Sequence, residues 1–333
     1  AAGGAAMPVH KSEQNLNNLV GVPQTLLALP VEAQAAVIEC GANQRGELER
    51  MRGIVRPDVA VITNVGAGHL EGFGGIDQIL QEKISLVVGA PQVIVGARPP
   101  DLAGAARAVA KEVVTVSADG AADWMAEEIT VLPDGRPRFR VRGVTIELPV
   151  PGRHQVGNAL VALAVADALG VPLADAARGL AQASLPGGRT AVFEIDGVTV
   201  VNDTYNANPA SMAAALELLQ AVRGTRRTIV VVGTMRELGA ASADFHASMA
   251  ERILDLRPAV VAAVGEFAPA FEALAGRIKR KRLLTGAAPG DVAERLKHAL
   301  HPGDVVLFKA SRGVRLEQLF PMLWPSYGGG EAH

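Results

Sequence analysis

Short Val/Ile-rich runs, each parted from the next by a helix-length stretch, constrain the fold of this chain more than any other feature. AAVIEC (35 to 40), VAVIT (59 to 63), QVIVG (92 to 96) and VVTV (113 to 116) mark the first half, and TIVVVG (228 to 233), AVVAAVG (259 to 265) and DVVLFK (304 to 309) the second. Their alternation with helical segments predicts an α/β chain built on mostly parallel, doubly wound sheets. Between 127 and 149 the pattern changes. EITVL, RFRV and VTIELP alternate with period two around turn dipeptides, which predicts a small antiparallel annex. Helical patterns follow at 157 to 168 and 173 to 182, and PGGRT (186 to 190) is the best linker. Beyond it, a hairpin over 193 to 202 and helices near 209 to 222, 243 to 255, 289 to 300 and 314 to 323 complete a second, Rossmann-like unit. The expected domains are 1–186 and 187–326, with a disordered tail over 327–333.

Composition narrows the function. Of 333 residues, 32 are Lys or Arg and 34 are Asp or Glu, a balance that argues against a nucleic-acid partner. A hydrophobic content of 49% looks membrane-like until the apolar residues are located, because no run reaches the ~18 residues that a span needs. Cys40 is the single cysteine, so no internal disulfide can form and a reducing cytoplasm is the expected setting. The start AAGGAAMPVHK has no initial Met and reads as the middle of an Ala-rich segment, so the expectation is a chain lacking something upstream of Ala1.

Ligands of open parallel sheets bind beyond the carboxyl ends of the strands. Glu39 closes one apolar run, and a carboxylate there calls for a metal or a Lys/Arg partner unless it simply reaches solvent. Asn64 and His69 follow VAVIT in the loop NVGAGHLEGFGG, where the imidazole is either a ligand or an ordinary polar loop residue. Gly66, Gly68 and Gly72 miss the dinucleotide fingerprint by one residue of spacing, and no acid ends the next strand, which argues against NAD or FAD. Lys83, on the helical pattern IDQILQEKISLVV, either brings an amine to this end or is a solvated surface lysine. In the second half, DTYNANPASM (203 to 212) holds more polar side chains than capping by Asn208 or Ser211 requires. FKASRG (308 to 313) ends a strand with two cations and a hydroxyl, a set suited to a carboxylate or phosphate.

Taken together, the motifs resemble the Mur ligase family, in its dipeptide-adding MurF type. The matching segments are NLNNLVGVPQTLL (15 to 27), VIECGAN (37 to 43), ITNVGAGHLEGFGG (62 to 75), GRHQVGNALVALAVA (152 to 166), LPGGR (185 to 189), VNDTYNANPASM (201 to 212), VVGTMRELG (231 to 239) and GDVVLFKASRG (303 to 313). They run in the family's order across nearly the whole chain. The resemblance implies most of a central ATPase domain and a whole C-terminal domain of a three-domain, cytoplasmic, usually monomeric amide ligase. Its substrates would be ATP, a UDP-N-acetylmuramoyl-tripeptide and D-alanyl-D-alanine, with Mg²⁺ as cofactor. By the same resemblance Glu39, His69 and Lys83 would serve the metal, Lys83 as a carbamate. Asn17 and Asn18 would lie along the muramoyl peptide, and His154 and Asn158 would flank the adenine. Arg189 would reach the ATP phosphates and Asp203 the ribose. Tyr205, Asn206 and Asn208 would shape the cleft, with Lys309, Ser311 and Arg312 near the dipeptide.

Departures from the family pattern stand at five positions: Gln14 for Gly before the NxNN motif, Ser85 for Glu, Gln155 for Asn, Thr234 for Asp in G-D-M, and Ala310 for Gly in K-G-S. No G-x-x-x-x-G-K-[ST] run occurs anywhere in the sequence, and scattered side chains cannot replace a phosphate cradle of backbone N–H groups. The chain by itself is therefore expected to be inactive. The alternative reading is a P-loop-less protein that binds muramoyl peptides or nucleotides.

Overall fold

The computed structural model describes residues 2–68, 70–185 and 187–327, and the chain forms two compact units. The first takes in the residues up to Thr130, then Arg138–Pro149 and His154–Ala183. The second takes in Val131–Pro137, Val150–Arg153 and the chain from Ser184 onward. Two short excursions, 131–137 and 150–153, thus group with the second unit although they precede the linker in sequence. Pro186 of that linker and 328–333 of the tail lie outside the described residues.

In the first unit, β1 (Val9–Lys11) and β2 (Ala35–Val37) pair in parallel as a two-stranded sheet. A separate, all-parallel sheet is formed by β3 (Val59–Ile62), β4 (Gln92–Gly96), β5 (Glu112–Ser117) and β6 (Trp124–Met125), in that order. This corrects the expectation that the run at 35 to 40 belongs to the main sheet. Its partner is the short VHK strand, which has too few apolar residues to stand out as a strand in sequence. Helices α1 (Gly21–Leu27), α2 (Glu47–Val55), α3 (Leu70–Phe73), α4 (Ile76–Val87) and α5 (Leu102–Arg107) precede or interleave with these strands. α6 (Gln155–Ala168) and α7 (Leu173–Leu180) close the unit.

Period-two alternation assigns the faces of the sheet. Val93 and Val95 of β4 join Ile79, Val87, Leu102 and Ala106 of α4 and α5 in one cluster, whereas Ile94 points the other way, on the face where α6 packs against β4 and β5. The annex is a three-stranded sheet of β7 (Glu127–Val131), β8 (Pro137–Val141) and β9 (Val144–Glu147), with β8 and β9 antiparallel as expected.

The second unit carries a six-stranded sheet. Its strands are β10 (Ala191–Ile195), β11 (Val198–Asp203), β12 (Thr228–Gly233), β13 (Val260–Val264), β14 (Leu283–Gly286) and β15 (Val305–Lys309), in the spatial order β10-β11-β15-β12-β13-β14. Only β10 runs against its neighbour, as the arm of a hairpin with β11. The connecting helices are α8 (Pro209–Arg223), α9 (Ser242–Asp255), α10 (Phe267–Glu272) and α11 (Gly290–Ala299), with α12 (Leu319–Leu323) at the end. Val306 and Phe308 face α11 and α12, together with Leu296, Phe320 and Trp324. Val305, Leu307 and Lys309 take the opposite face, on the side of α8. The expected helix over 314 to 323 is broken into two 3-10 turns and the short α12. Arg315 adopts a left-handed φ of 57°, which no helix accommodates.

No helix among the described residues is long and apolar enough to cross a membrane. Gly96 ends β4 where the chain leaving β3 passes closest: a Cβ on it would lie 1.9 Å from the Thr63 carbonyl oxygen. Gly96→Ala should therefore destabilise the first unit by about 2 kcal/mol, as overpacking does. The check is urea denaturation followed by Trp124 fluorescence in a Trp324→Phe background. A shifted midpoint is expected, and an unchanged one would contradict the close approach.

Candidate active site

The first unit gathers its polar residues just past β2 and β3. Glu39 lies two residues beyond β2 and is exposed. Its backbone N–H donates to Ser12 Oγ at 3.0 Å, and its Oε1 accepts from Asn17 Nδ2 at 2.9 Å. The Asn17 carbonyl in turn accepts from Gly41 N–H at 2.7 Å, so 12–17 and 39–41 are stitched together. Among the described residues the hydrogen-bond partner of its carboxylate is an amide, and an exposed carboxylate escapes the desolvation that would demand a charged one. The neighbouring Cys40 thiol is pushed up to about 11, by burial first and by the Glu39 charge second, which keeps it protonated at neutral pH.

Asn18 has a local task. Its Oδ1 accepts from the N–H groups of Val20 and Gly21, at 3.0 and 2.9 Å, and so caps the start of α1. That oxygen is engaged by the helix start, which leaves the Nδ2 end of the amide as the part of the side chain not used there.

Lys83 is not a solvated surface lysine. It is half-buried on α4, its Nζ donates to the Asn64 carbonyl at 3.0 Å, and burial lowers its pKa below the ordinary lysine value. The adjacent Glu82 is buried, and its carboxylate accepts from Gly46 N–H at 2.7 Å and from Leu48 N–H at 2.8 Å, satisfying the start of α2 from another helix. Sequence reasoning missed Glu82. Its signal was an acid set into the apolar stripe of α4 that carries Ile79 and Leu86. His69 lies outside the described residues, and among those described no three His, Cys, Asp or Glu side chains form a metal-holding group.

His154 and Asn158, both exposed, open α6 around Gln155. The Gln155 carbonyl accepts from Asn158 Nδ2 at 2.8 Å, and its amide lies 3.1 Å from His154 Nε2. The Gln for Asn departure therefore supplies a bridge between the two residues expected at the adenine.

In the second unit the DTYNANP loop and the end of β15 form one hydrogen-bonded block. Lys309, 1% exposed, ion-pairs with Asp203 at 2.5 Å and donates to the Asn206 carbonyl at 2.9 Å. The other Asp203 oxygen accepts from Thr190 N–H at 3.1 Å. Burial lowers the Lys309 pKa, and the charge and hydrogen bond of Asp203 work against that shift. Ser311, also buried, donates to the Ala207 carbonyl at 3.2 Å and accepts from Arg236 N–H at 2.9 Å. Asp203, expected at the ribose, and Lys309 and Ser311, expected near a dipeptide, thus all have partners within the unit. These three groups are spent on one another and on the loop backbone.

Asn208 is the N-cap of α8 in a reciprocal capping box with Ser211. Exposed functional groups remain. The Arg189 guanidinium lies over the Tyr205 ring at 4.2 Å, Asn206 is exposed, and the exposed Arg312 pairs with Glu317 at 3.0 Å.

The other departures have local reasons. Ser85 Oγ donates back to the Glu82 carbonyl at 2.7 Å, Thr234 Oγ1 accepts from Glu266 N–H at 3.0 Å, and Ala310 is fully buried against Gly233. Gln14 is different, since its φ of 49° is left-handed, a conformation that costs a side-chain-bearing residue roughly 1 kcal/mol. Gln14→Gly should thus stabilise the first unit by about 0.5–1 kcal/mol, read as a raised urea midpoint of Trp124 fluorescence. A lowered midpoint would contradict the strained turn.

Comparison with known proteins bears on the family and the fold. The family model for the Mur ligase middle domain matches residues 2–166, and that for the Mur ligase glutamate ligase domain matches 188–312. The UDP-N-acetylmuramoyl-tripeptide–D-alanyl-D-alanine ligase of Bacillus subtilis is 30% identical over 324 residues, covering 95% of this chain and 70% of its own. The crystal structure of MurF from Acinetobacter baumannii superposes with a TM-score of 0.86 at 33% identity, covering 97% of this chain and 72% of that one. MurF from Thermotoga maritima, solved in complex with ADP, gives 0.81 at 29% identity, covering 96% and 73%. The chain belongs to the Mur ligase family, and within it to the MurF type.

Proposed function

We propose that this chain is part of a cytoplasmic, monomeric, ATP-dependent amide ligase that joins D-alanyl-D-alanine to a UDP-N-acetylmuramoyl-tripeptide. The observation that carries this reading is the end-to-end match in one register to proteins of that name, through both units. We place the boundary between its ATPase and C-terminal domains at 186/187.

The chemistry follows from the poor electrophilicity of a carboxylate. A carboxylate oxygen of the tripeptide attacks the γ-phosphorus of ATP, ADP leaves, and an acyl phosphate forms. The dipeptide amine then attacks the acyl carbon, and the tetrahedral intermediate expels phosphate as the nitrogen loses a proton. Negative charge grows on the phosphoryl oxygens in the first step, and preorganised cations are what stabilise it. Arg189, held over Tyr205, is the guanidinium assigned to those phosphates. His154 and Asn158, joined through Gln155, are assigned to the adenine, and Asn17, steadied by Glu39, to the muramoyl peptide. Asn206 and Arg312 line the dipeptide side. Asp203, Lys309 and Ser311 act from behind, holding the loop that carries Tyr205 and Asn206.

The donor set suits Mg²⁺, a hard cation that takes one or two carboxylates and leaves its remaining positions to water and phosphate. Glu39 offers one exposed carboxylate, whose second oxygen is not the one bound by Asn17. Lys83 would add oxygens once carboxylated, and His69 belongs to the same assignment. The metal would supply charge neutralisation on the phosphates. A lowered lysine pKa favours carboxylation, because the neutral amine that reacts with CO₂ is present at a lower pH than on an ordinary lysine.

Three measurements test the proposal. With ¹³C-bicarbonate, a carbamate resonance should grow as pH rises, starting below the pH at which surface lysines react, and should vanish in Lys83→Met. Uptake unchanged by that substitution would refute the assignment. A ligase joining these residues to a G-x-x-x-x-G-K-[ST] segment should release one phosphate per amide formed, only with both substrates, whereas residues 1–333 alone should give no turnover. Arg189→Ala should lower kcat/KM for ATP by about tenfold or more, the loss expected on removing a charged hydrogen-bond donor. ATP-independent amide formation would refute the reaction.

A further inference from the structure

The sheet of the second unit reverses its winding at β12. β13 and β14 follow on one side of it, whereas β15 returns to the other. A crevice at such a reversal is where open α/β sheets bind ligands, and its walls here are the loops after β12 and β15. The first of these is tied at its first three residues. The Thr234 carbonyl accepts from Ser311 N–H at 3.1 Å, Met235 N–H donates to His246 Nε2 at 2.9 Å, and Arg236 N–H donates to Ser311 Oγ at 2.9 Å. The exposed Arg236 guanidinium then donates to the Gly313 carbonyl at 3.3 Å.

His246 comes from neither loop. It stands on α9, 1% exposed, with its ring edge-on to Phe267 at 4.6 Å between centroids. Its Nδ1 lies 2.7 Å from the Ser242 carbonyl, which can only accept, so Nδ1 carries the hydrogen. Nε2 faces an N–H and must present a lone pair. The neutral Nδ1–H tautomer satisfies both neighbours. Ser242 Oγ, 3.3 Å from Nδ1, donates to Glu266 Oε2, and that carboxylate lies 3.8 Å from Nδ1. Glu266 N–H donates to Thr234 Oγ1, which closes a ring of contacts through Thr234, Glu266, Ser242, His246 and Met235. Gly265 leaves room for it, since a Cβ there would lie 2.3 Å from Thr234 Oγ1.

We infer that His246 is a positioning residue: its unprotonated Nε2 fixes the path of 234–236, so that Arg236 and the β15 loop present one preformed wall to the incoming amine substrate. The part concerning the amine rests on the ligase reading; the clamp itself does not.

The test has a structural arm and a kinetic arm. On the unaltered chain, ¹⁵N NMR of the imidazole should show Nε2 in the unprotonated range and Nδ1 in the protonated one. In His246→Phe, which keeps a ring against Phe267, amide exchange at Met235 should quicken about tenfold, the loss of one hydrogen bond, while core strands stay protected. His246→Gln, which returns an acceptor near the same place, should restore most of that protection. A protonated Nε2, or unchanged exchange at Met235 in His246→Phe, would overturn the clamp whatever the ligand. In the ligase assay, His246→Phe should raise KM for D-alanyl-D-alanine about tenfold with kcat held within about threefold, and His246→Gln should reverse it. Faster exchange with an unchanged KM would overturn the link to the amine site. The nitrogen measurement needs no substitution, so a variant that fails to fold does not shield the inference.

Discussion

The second unit depends on one ammonium kept inside it. Lys309 alternates with Val305 and Leu307 on the α8 face of β15, a position where a charge is costly unless it is paired and hydrogen-bonded. Asp203, at the end of the adjacent β11, supplies the opposite charge, and the Asn206 carbonyl a further acceptor. These contacts fix where β11 stops and how the DTYNANP loop turns into α8, whose capping box begins at Asn208. Through Thr190 the same carboxylate ties down the segment that carries Arg189. The exposed Arg189 and Asn206 and the half-buried Tyr205, all expected at ligands, are thus displayed by residues that face inward.

The same division of labour appears in the first unit. Glu82 spends its carboxylate on the start of α2, and Asn18 caps α1, while the exposed Glu39 keeps one oxygen clear of its amide partner. Lys83 sits between these extremes, half-buried and held by the Asn64 carbonyl at the mouth of β3. Burial lowers its pKa, which is what the carbamate proposed for it requires.

Strands buried on both faces were legible in the sequence, because unbroken Val/Ile runs at 92–96, 228–233 and 304–309 have no other comfortable fold. The antiparallel annex was legible from its alternation and turns. Short elements were not. β1 has three residues, so the partner of the run at 35 to 40 went unseen, and the segment after 313 breaks at Arg315, whose left-handed backbone no propensity announces. At the candidate site, residue types at strand ends drew attention to these regions, but they could not say which polar atoms are exposed and which are spent on the protein. Lys309 and Arg312 look equivalent in FKASRG, yet one is buried and paired and the other exposed, because strand parity ends between them. His246 carried no signal at all, since a single histidine on an amphipathic helix is ordinary until its ring nitrogens are placed.

A double-mutant cycle across Asp203 and Lys309 tests most directly the claim that the second unit is organised around this pair. Lys309→Met and Asp203→Asn would each be measured alone and together by urea denaturation followed at Trp324. A buried pair predicts that each single change costs about 3 kcal/mol and that the double change costs less than their sum by about 1.5 kcal/mol or more. Costs that add within about 0.5 kcal/mol would contradict it, and would return Lys309 to the role of an independent side chain.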